Sequence, residues 1–313
     1  MLNHMNRILQ KIMPFIAPSS VVIGVLFSGF FQPLEGSVIW IFAFMTFAGS
    51  LSLNFMAIYR VIKHPLPVLV ALLMLHVIMP LWAWLIGLVT FPDDPLMIIG
   101  MVLAMLIPTG ITSFIWVSMN KGNVALTLSI ILIDTILSPF IVPFTLSLFV
   151  AESVDLNIGS MIKGLLIMIV IPSILGLFLN EWSHGKVHET WSPRLAPFSK
   201  IALAIVIMIN SAEVAPYLRQ INWQLIKIAF VMFLIAASGY LLAWFLARSM
   251  KQTKKDVISL TFSSGMRNIS AGAVIAVKYF PGPVAVPVVV GMLFQQVLAA
   301  TFSKLLPYIK KIK

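Results

Sequence analysis

The chain of 313 residues contains no cysteine and very little charge. The first absence removes disulfides, thiolate metal sites and a cysteine nucleophile together. The second sets the class. Charged residues make up 10% of the sequence and apolar residues 60%, whereas a soluble domain runs to roughly one quarter charged. So few charges cannot cover a surface facing water, so the solvent over most of this surface is lipid. Acidic residues are scarcest, 10 against 21 Lys and Arg. In a soluble protein the net charge of +11 would direct attention to nucleic acid. Here the basic residues sit in short loops and near the C-terminus, so membrane topology accounts for them and no nucleic-acid partner is expected. Missing too are HExxH, a catalytic pair of aspartates and a Ser/His arrangement within the apolar runs, which argues against an intramembrane enzyme. Short hydrophilic segments leave no room for the signalling domain of a receptor. Nothing in the sequence marks a cofactor, a metal site or an obligate protein partner.

What is present is a long series of apolar runs. Crossing the hydrocarbon core takes about 20 residues of helix. Candidate spans are Met13–Phe31, Val38–Met56, Pro67–Thr90, Leu96–Asn120 and Val124–Val150, then Ile158–Leu179, Pro197–Pro216, Leu225–Ala247, Val257–Lys278 and Val284–Leu306. Arg7 and Lys11 before the first run imitate a signal peptide. Without a small-residue cleavage site, and with further spans following, the run reads as the first helix. The expected fold is therefore an all-α polytopic protein of ten transmembrane helices, a single domain over residues 1–313.

Orientation follows from the basic residues. All but five of the 21 fall in one alternate set of segments, from Arg7 and Lys11 through Lys121, Arg194, Lys251 and Lys254 to Lys313. The other set holds Glu35, Asp93, Asp94, Glu152 and Asp155. Both termini are then cytoplasmic, which fits an even number of spans in the cell membrane. Ten spans divide into five and five, residues 13–150 and 158–306. Duplicating an odd-numbered unit gives halves of opposite orientation, the inverted repeat common in secondary transporters. Pro18 and Pro172 lie in similar contexts, 172 − 18 = 154 residues apart, and Gly110 and Gly265 lie 265 − 110 = 155 apart.

Two spans carry interruptions at corresponding places. In LIPTGITSF, Pro108 has no N–H and Gly110 no side chain, so the helical ladder should open there. In FSSGMRNISAG, the residues Ser263, Ser264, Gly265, Arg267 and Asn268 weaken the ninth span in the same way. Open backbone within a membrane must face protein or a water-filled cavity. A matched pair of broken helices points to a substrate site near the midplane, and the N–H groups that open each second half suit a carboxylate. Arg267 and Asp134 are the two charges deep inside spans, and intramembrane charges are functional candidates by default. His76 reads as a packed or hydrogen-bonded histidine, and Glu213 as an interfacial charge.

These segments resemble the bile acid:sodium symporter family, within the larger group that also holds arsenite and auxin carriers. The resemblance rests on MTFAGSLSLNFMAIYRVIKHP, HVIMPLWAW, IPTGITSFIWVSMNKGNVALTLS, FSSGMRNISAGAVIA and FQQVLAA, which follow the family's order from about residue 40 to residue 302. It implies a panel of spans one, two, six and seven and a core of three to five and eight to ten. The broken fourth and ninth helices cross within that core. It also implies transport of an organic anion, bile-acid-like or a small carboxylate, by alternating access. Thr109, Thr112, Ser113, Asn268, Gln295 and Gln296 are the polar groups expected around the crossing.

The departures concern sodium. Positions matching the family's sodium ligands are Leu75, Ser113, Phe114, Thr127, Ile131, Ser263 and Arg267. The family's charged ligand has become Ser263, and its ninth-helix glutamine has become Arg267. Hard cations need several oxygen ligands, and a guanidinium would repel them. The sequence thus implies transport without family-type sodium coupling, with Arg267 standing where an ion would have stood and pairing with Asp134. Two further readings stay open for these charges: a purely structural pair, and an Arg267 that contacts the substrate carboxylate. A sodium symporter with a rearranged ion site is the competing function.

Overall fold

The computed structural model describes residues 2–56, 59, 63, 65–149 and 157–309, and among them all regular structure is helical, without a strand. The chain opens with α1 (Leu2–Lys11) and α2 (Met13–Leu26). A 3-10 segment, Gln32–Ser37, leads into α3 (Val38–Ser50). Next come α4 (Pro65–Thr90), α5 (Pro95–Leu106), α6 (Thr112–Met119) and α7 (Val124–Phe149). The rest comprises α8 (Ile158–Trp182), α9 (Lys186–Glu213), α10 (Trp223–Ser249), α11 (Lys254–Gly265), α12 (Ile269–Tyr279) and α13 (Gly282–Ile309). Among the described residues seven helices are long and apolar enough to cross a membrane. Phe15–Leu26 and Pro95–Leu106 are shorter apolar helices beside them.

Helix starts follow local chemistry. The Asp94 carboxylate accepts from the Met97 N–H, with Pro95 at the first helical position, so α5 begins there. Asn157, Asn222 and Thr253 cap α8, α10 and α11 in the same manner. The seventh expected span extends further back than its apolar run. Its helix starts at Lys186 and contains Pro193 and Pro197. Two π-turns, Met74–Ile78 and Leu166–Val170, each end two residues before a proline, Pro80 and Pro172. Proline cannot supply the N–H of a normal turn, and widening the preceding turn absorbs the deficit. Pro18, by contrast, lies inside α2 without such a turn, so its likeness to Pro172 stops at the sequence.

The helices pack as two groups. In one, α2 and α3 lie against α9, and α3 also meets α8; in the other, α4, α5, α10, α11, α12 and α13 pack together. Helix α7 touches members of both. Small residues let backbones approach: a Cβ on Gly24 would lie 2.2 Å from the Met208 carbonyl oxygen, and one on Gly100 would lie 2.4 Å from that of Val284. Of the charged residues used to orient the chain, Arg60, Glu152, Asp155, Lys310, Lys311 and Lys313 lie outside the described residues.

Candidate functional site

Both expected interruptions are present. Ile107, held at φ −56° and ψ 140° ahead of Pro108, ends α5, and α6 starts at Thr112. Met266, at φ −95° and ψ 137°, ends α11, and α12 starts at Ile269. The half-helices α5 and α11 end at positions 265 − 106 = 159 residues apart. Gly265 therefore belongs to the helix end and not to the gap, which shifts the correspondence expected with Gly110. Its reason is packing: a Cβ on Gly265 would lie 2.4 Å from Cδ1 of Tyr240.

The two gaps cross through main chain. The Asn268 N–H donates to the Pro108 carbonyl at 2.8 Å, and a Cβ on Gly110 would lie 3.2 Å from the Arg267 carbonyl oxygen. A cavity of about 310 Å³ opens beside this crossing. Thr109, Gly110, Thr112, Asn268, Gln295 and Gln296 line its polar side. Phe42, Met45, Ile115, Ile207 and Met292 form an apolar wall, and His188, Ser192, Ser199 and Lys200 bring polar groups from the first half of α9. Polar anchors on one side of an apolar cavity are the usual make-up of a small-molecule site. The Trp116 indole N–H donates to Gln296 Oε1 at 3.1 Å and so orients that amide.

Arg267 is 2% exposed. Its Nε donates to the Met105 carbonyl at 2.8 Å and its Nη1 to the Ser264 carbonyl. Met105 lies in the last turn of α5 and Ser264 in the last turn of α11. The guanidinium thus bridges the C-terminal ends of both first half-helices, where unpaired carbonyls and the negative end of the dipole favour a cation.

The expected Arg267–Asp134 ion pair does not form. Asp134, fully buried, shares a hydrogen bond between its Oδ1 and Nε2 of His76 at 2.6 Å and accepts the Thr109 N–H on Oδ2 at 2.6 Å. Pro108 frees the N–H groups that follow it from the helical ladder, and the carboxylate takes one of them. His76 was legible only as a buried polar residue, since its partner lies 58 positions away.

Of the other expected positions, Phe114 and Ile131 line the cavity, whereas Ser113, Thr127 and Ser263 do not. Ser113 and Ser263 are buried, and neither hydroxyl has a protein hydrogen-bond partner. Thr127 donates its hydroxyl to the Asn123 carbonyl at 3.2 Å. Phe114 and Ile131 line the cavity but carry no oxygen in their side chains. Of these positions Ser113, Thr127 and Ser263 carry side-chain oxygens, and the carbonyls of Met105 and Ser264 are engaged by Arg267. Sequence reasoning missed Lys200 and Ser199 as cavity residues. The signal available was a lysine at the head of an apolar run, residues 201–209.

Residues 38–221 match the family described as the sodium bile acid symporter family. An uncharacterized protein of Bacillus subtilis, YbaS, is 53% identical over 94% of this chain and 96% of its own length. An uncharacterized sodium-dependent transporter of the same organism, YocS, is 25% identical over 85% of this chain and 81% of its own. A probable chloroplastic sodium/metabolite cotransporter of rice, BASS1, is 26% identical over 65% of this chain and 50% of its own.

Proposed function

We propose that this chain, which belongs to the sodium bile acid symporter family, carries an organic anion across the membrane, and that it does so without family-type sodium coupling because Arg267 and Ser263 stand at sodium-ligand positions. It is a multi-pass membrane transport protein and not an enzyme. The finer reading has ten spans in an inverted repeat of residues 13–150 and 158–306, with both termini cytoplasmic. The group of α2, α3, α8 and α9 would act as panel and the remainder as core, the substrate lying in the cavity between them.

The observation that carries this reading is the position of Arg267, whose guanidinium engages the end carbonyls of both interrupted helices. Half-helix C-termini and unwound carbonyls are where transporters of this construction hold a cation. A tethered guanidinium supplies that positive charge permanently, so no ion need arrive for an anion to be attracted to the crossing. Asn268, Thr109, Thr112, Gln295 and Gln296 supply hydrogen bonds on the same side, and the apolar wall accepts a hydrocarbon body.

The second reading, a sodium symporter with a rearranged ion site, is supported by the relatives named as sodium-dependent or as sodium/metabolite cotransporters. One experiment separates the two. Purified protein is screened for thermal stabilisation by taurocholate and a panel of small carboxylates, and the stabilising anion is then followed into proteoliposomes. Uptake should persist when sodium is replaced by choline at equal membrane potential and pH gradient. Loss of uptake in choline would establish the sodium reading instead.

A further inference from the structure

The cavity has a second cation, away from Arg267. Its lining along α9 follows one helical face, with His188, Ser192, Ser199, Lys200, Leu203 and Ile207 in order. His188 is exposed and Ile207 is buried, so the polar part of this stripe lies at the open end and the apolar part inside. Lys200 stands where the two parts meet. It is 9% exposed, unlike a lysine that stretches its head group out to water at a membrane surface.

Helix α1 packs on α9 and supplies the partner. Lys200 Nζ donates to Oδ1 of Asn6 and, at 3.4 Å, to the Asn6 main-chain carbonyl. Both acceptors are neutral, and an ammonium has three donors to place. The single ion pair among the described residues joins His76 and Asp134, so none of their carboxylates compensates Lys200. A buried cation held only by amide oxygens is costly, and inside a membrane span it is a functional candidate by default.

We propose that Lys200 is an entry station for the anion, at which a carboxylate displaces Asn6 from the ammonium before passing on to the crossing. Its role in transport rests on the anion-transport reading above; the affinity of the position for anions does not. The two oxygens of Asn6 stand to the ammonium as those of a carboxylate would, without the charge. An arriving anion exchanges a neutral acceptor for a charged one, and charge-assisted hydrogen bonds are the stronger kind. Asn6 regains the ammonium when the anion moves on, which keeps the station from trapping it. Arg267 belongs to the other group of helices, so an anion leaving Lys200 stays within a positive field along its route.

The natural absence of cysteine allows a direct test. Ser199→Cys places a thiol beside Lys200 on the cavity wall, and Gly36→Cys, at an open position, is the reference. Purified full-length protein is labelled with the anionic sulfonatoethyl and the cationic trimethylammonioethyl methanethiosulfonate. The ratio of the two rates cancels the reactivity of the thiol, and division by the Gly36→Cys ratio cancels that of the reagents. Lys200→Gln should lower this normalised ratio by about threefold or more, the scale of one nearby charge in a partly aqueous cavity. Lys200→Arg should preserve it, and Asn6→Ala should raise it by uncovering the ammonium. A ratio unchanged in Lys200→Gln overturns the proposal. So does a ratio that fails to rise in Asn6→Ala, a result that decides alone where Lys200→Gln does not fold.

The entry role is then read in uptake of taurocholate, or of whichever small carboxylate stabilises the wild-type protein. Lys200→Gln should raise KM about tenfold and leave kcat within about twofold, since capture and not translocation is impaired. A fall in kcat at unaltered KM would overturn that role. Labelling involves no transported anion, so absence of uptake by the wild type would count against the anion-transport reading and leave the labelling ratios standing.

Discussion

The main-chain N–H of Asn268 donates to the carbonyl oxygen of Pro108 at 2.8 Å, joining the two interrupted helices at the point where they cross. Because backbone makes this contact, side chains at the crossing remain available to a ligand. The Asn268 side chain makes no capping bond to α12. Asn268→Ala should therefore leave the folded yield unchanged while lowering anion uptake. The loss of one hydrogen bond to a charged ligand, about 1.5–3 kcal/mol, corresponds to roughly ten- to hundredfold in affinity. Unaltered uptake kinetics in that variant would remove Asn268 from the site.

Arg267→Lys is expected to be non-conservative. Lysine keeps the charge but replaces a planar fork with a single ammonium, which cannot reproduce donation to Met105 and Ser264 in the same geometry. Uptake should fall by roughly tenfold or more, with a lower melting temperature, the cost of one charge-assisted hydrogen bond being about 1.5–3 kcal/mol. Wild-type uptake by Arg267→Lys would reduce the requirement to charge alone.

Gly265→Ala should destabilise the protein by about 1–3 kcal/mol, the usual range for overpacking. The added methyl would meet the Tyr240 ring, which is stacked on Phe302 with centroids 4.6 Å apart and cannot easily retreat. Gly36→Ala, at an open position, is the matched control. A melting temperature that does not separate the two variants would contradict this packing argument.

Topology can be read in intact cells. A membrane-impermeant thiol reagent should label Asp93→Cys, in the turn between α4 and α5, and spare Lys254→Cys at the start of α11. The reverse pattern would invert the orientation inferred from the basic residues.

Much of this protein was determined by its sequence alone. Low charge and long apolar runs dictate a membrane-spanning helical chain, because the backbone must satisfy its own hydrogen bonds in lipid. Pro108 with Gly110, and the polar run from Ser263 to Asn268, place both interruptions, because proline lacks a donor and polar residues in a span demand partners. These effects are local, and local chemistry is legible. The tertiary structure alone decided which partners the buried charges take. Arg267 and Asp134 were paired on the reasoning that the only deep opposite charges should meet. Instead, the guanidinium finds carbonyls at the ends of α5 and α11, while the carboxylate finds an imidazole and a freed N–H. Helix ends offer partial charges that carry no letter in the sequence, and a proline-widened π-turn positions His76 on a different helix from Asp134. The choice among partners was settled by where helix termini meet in space.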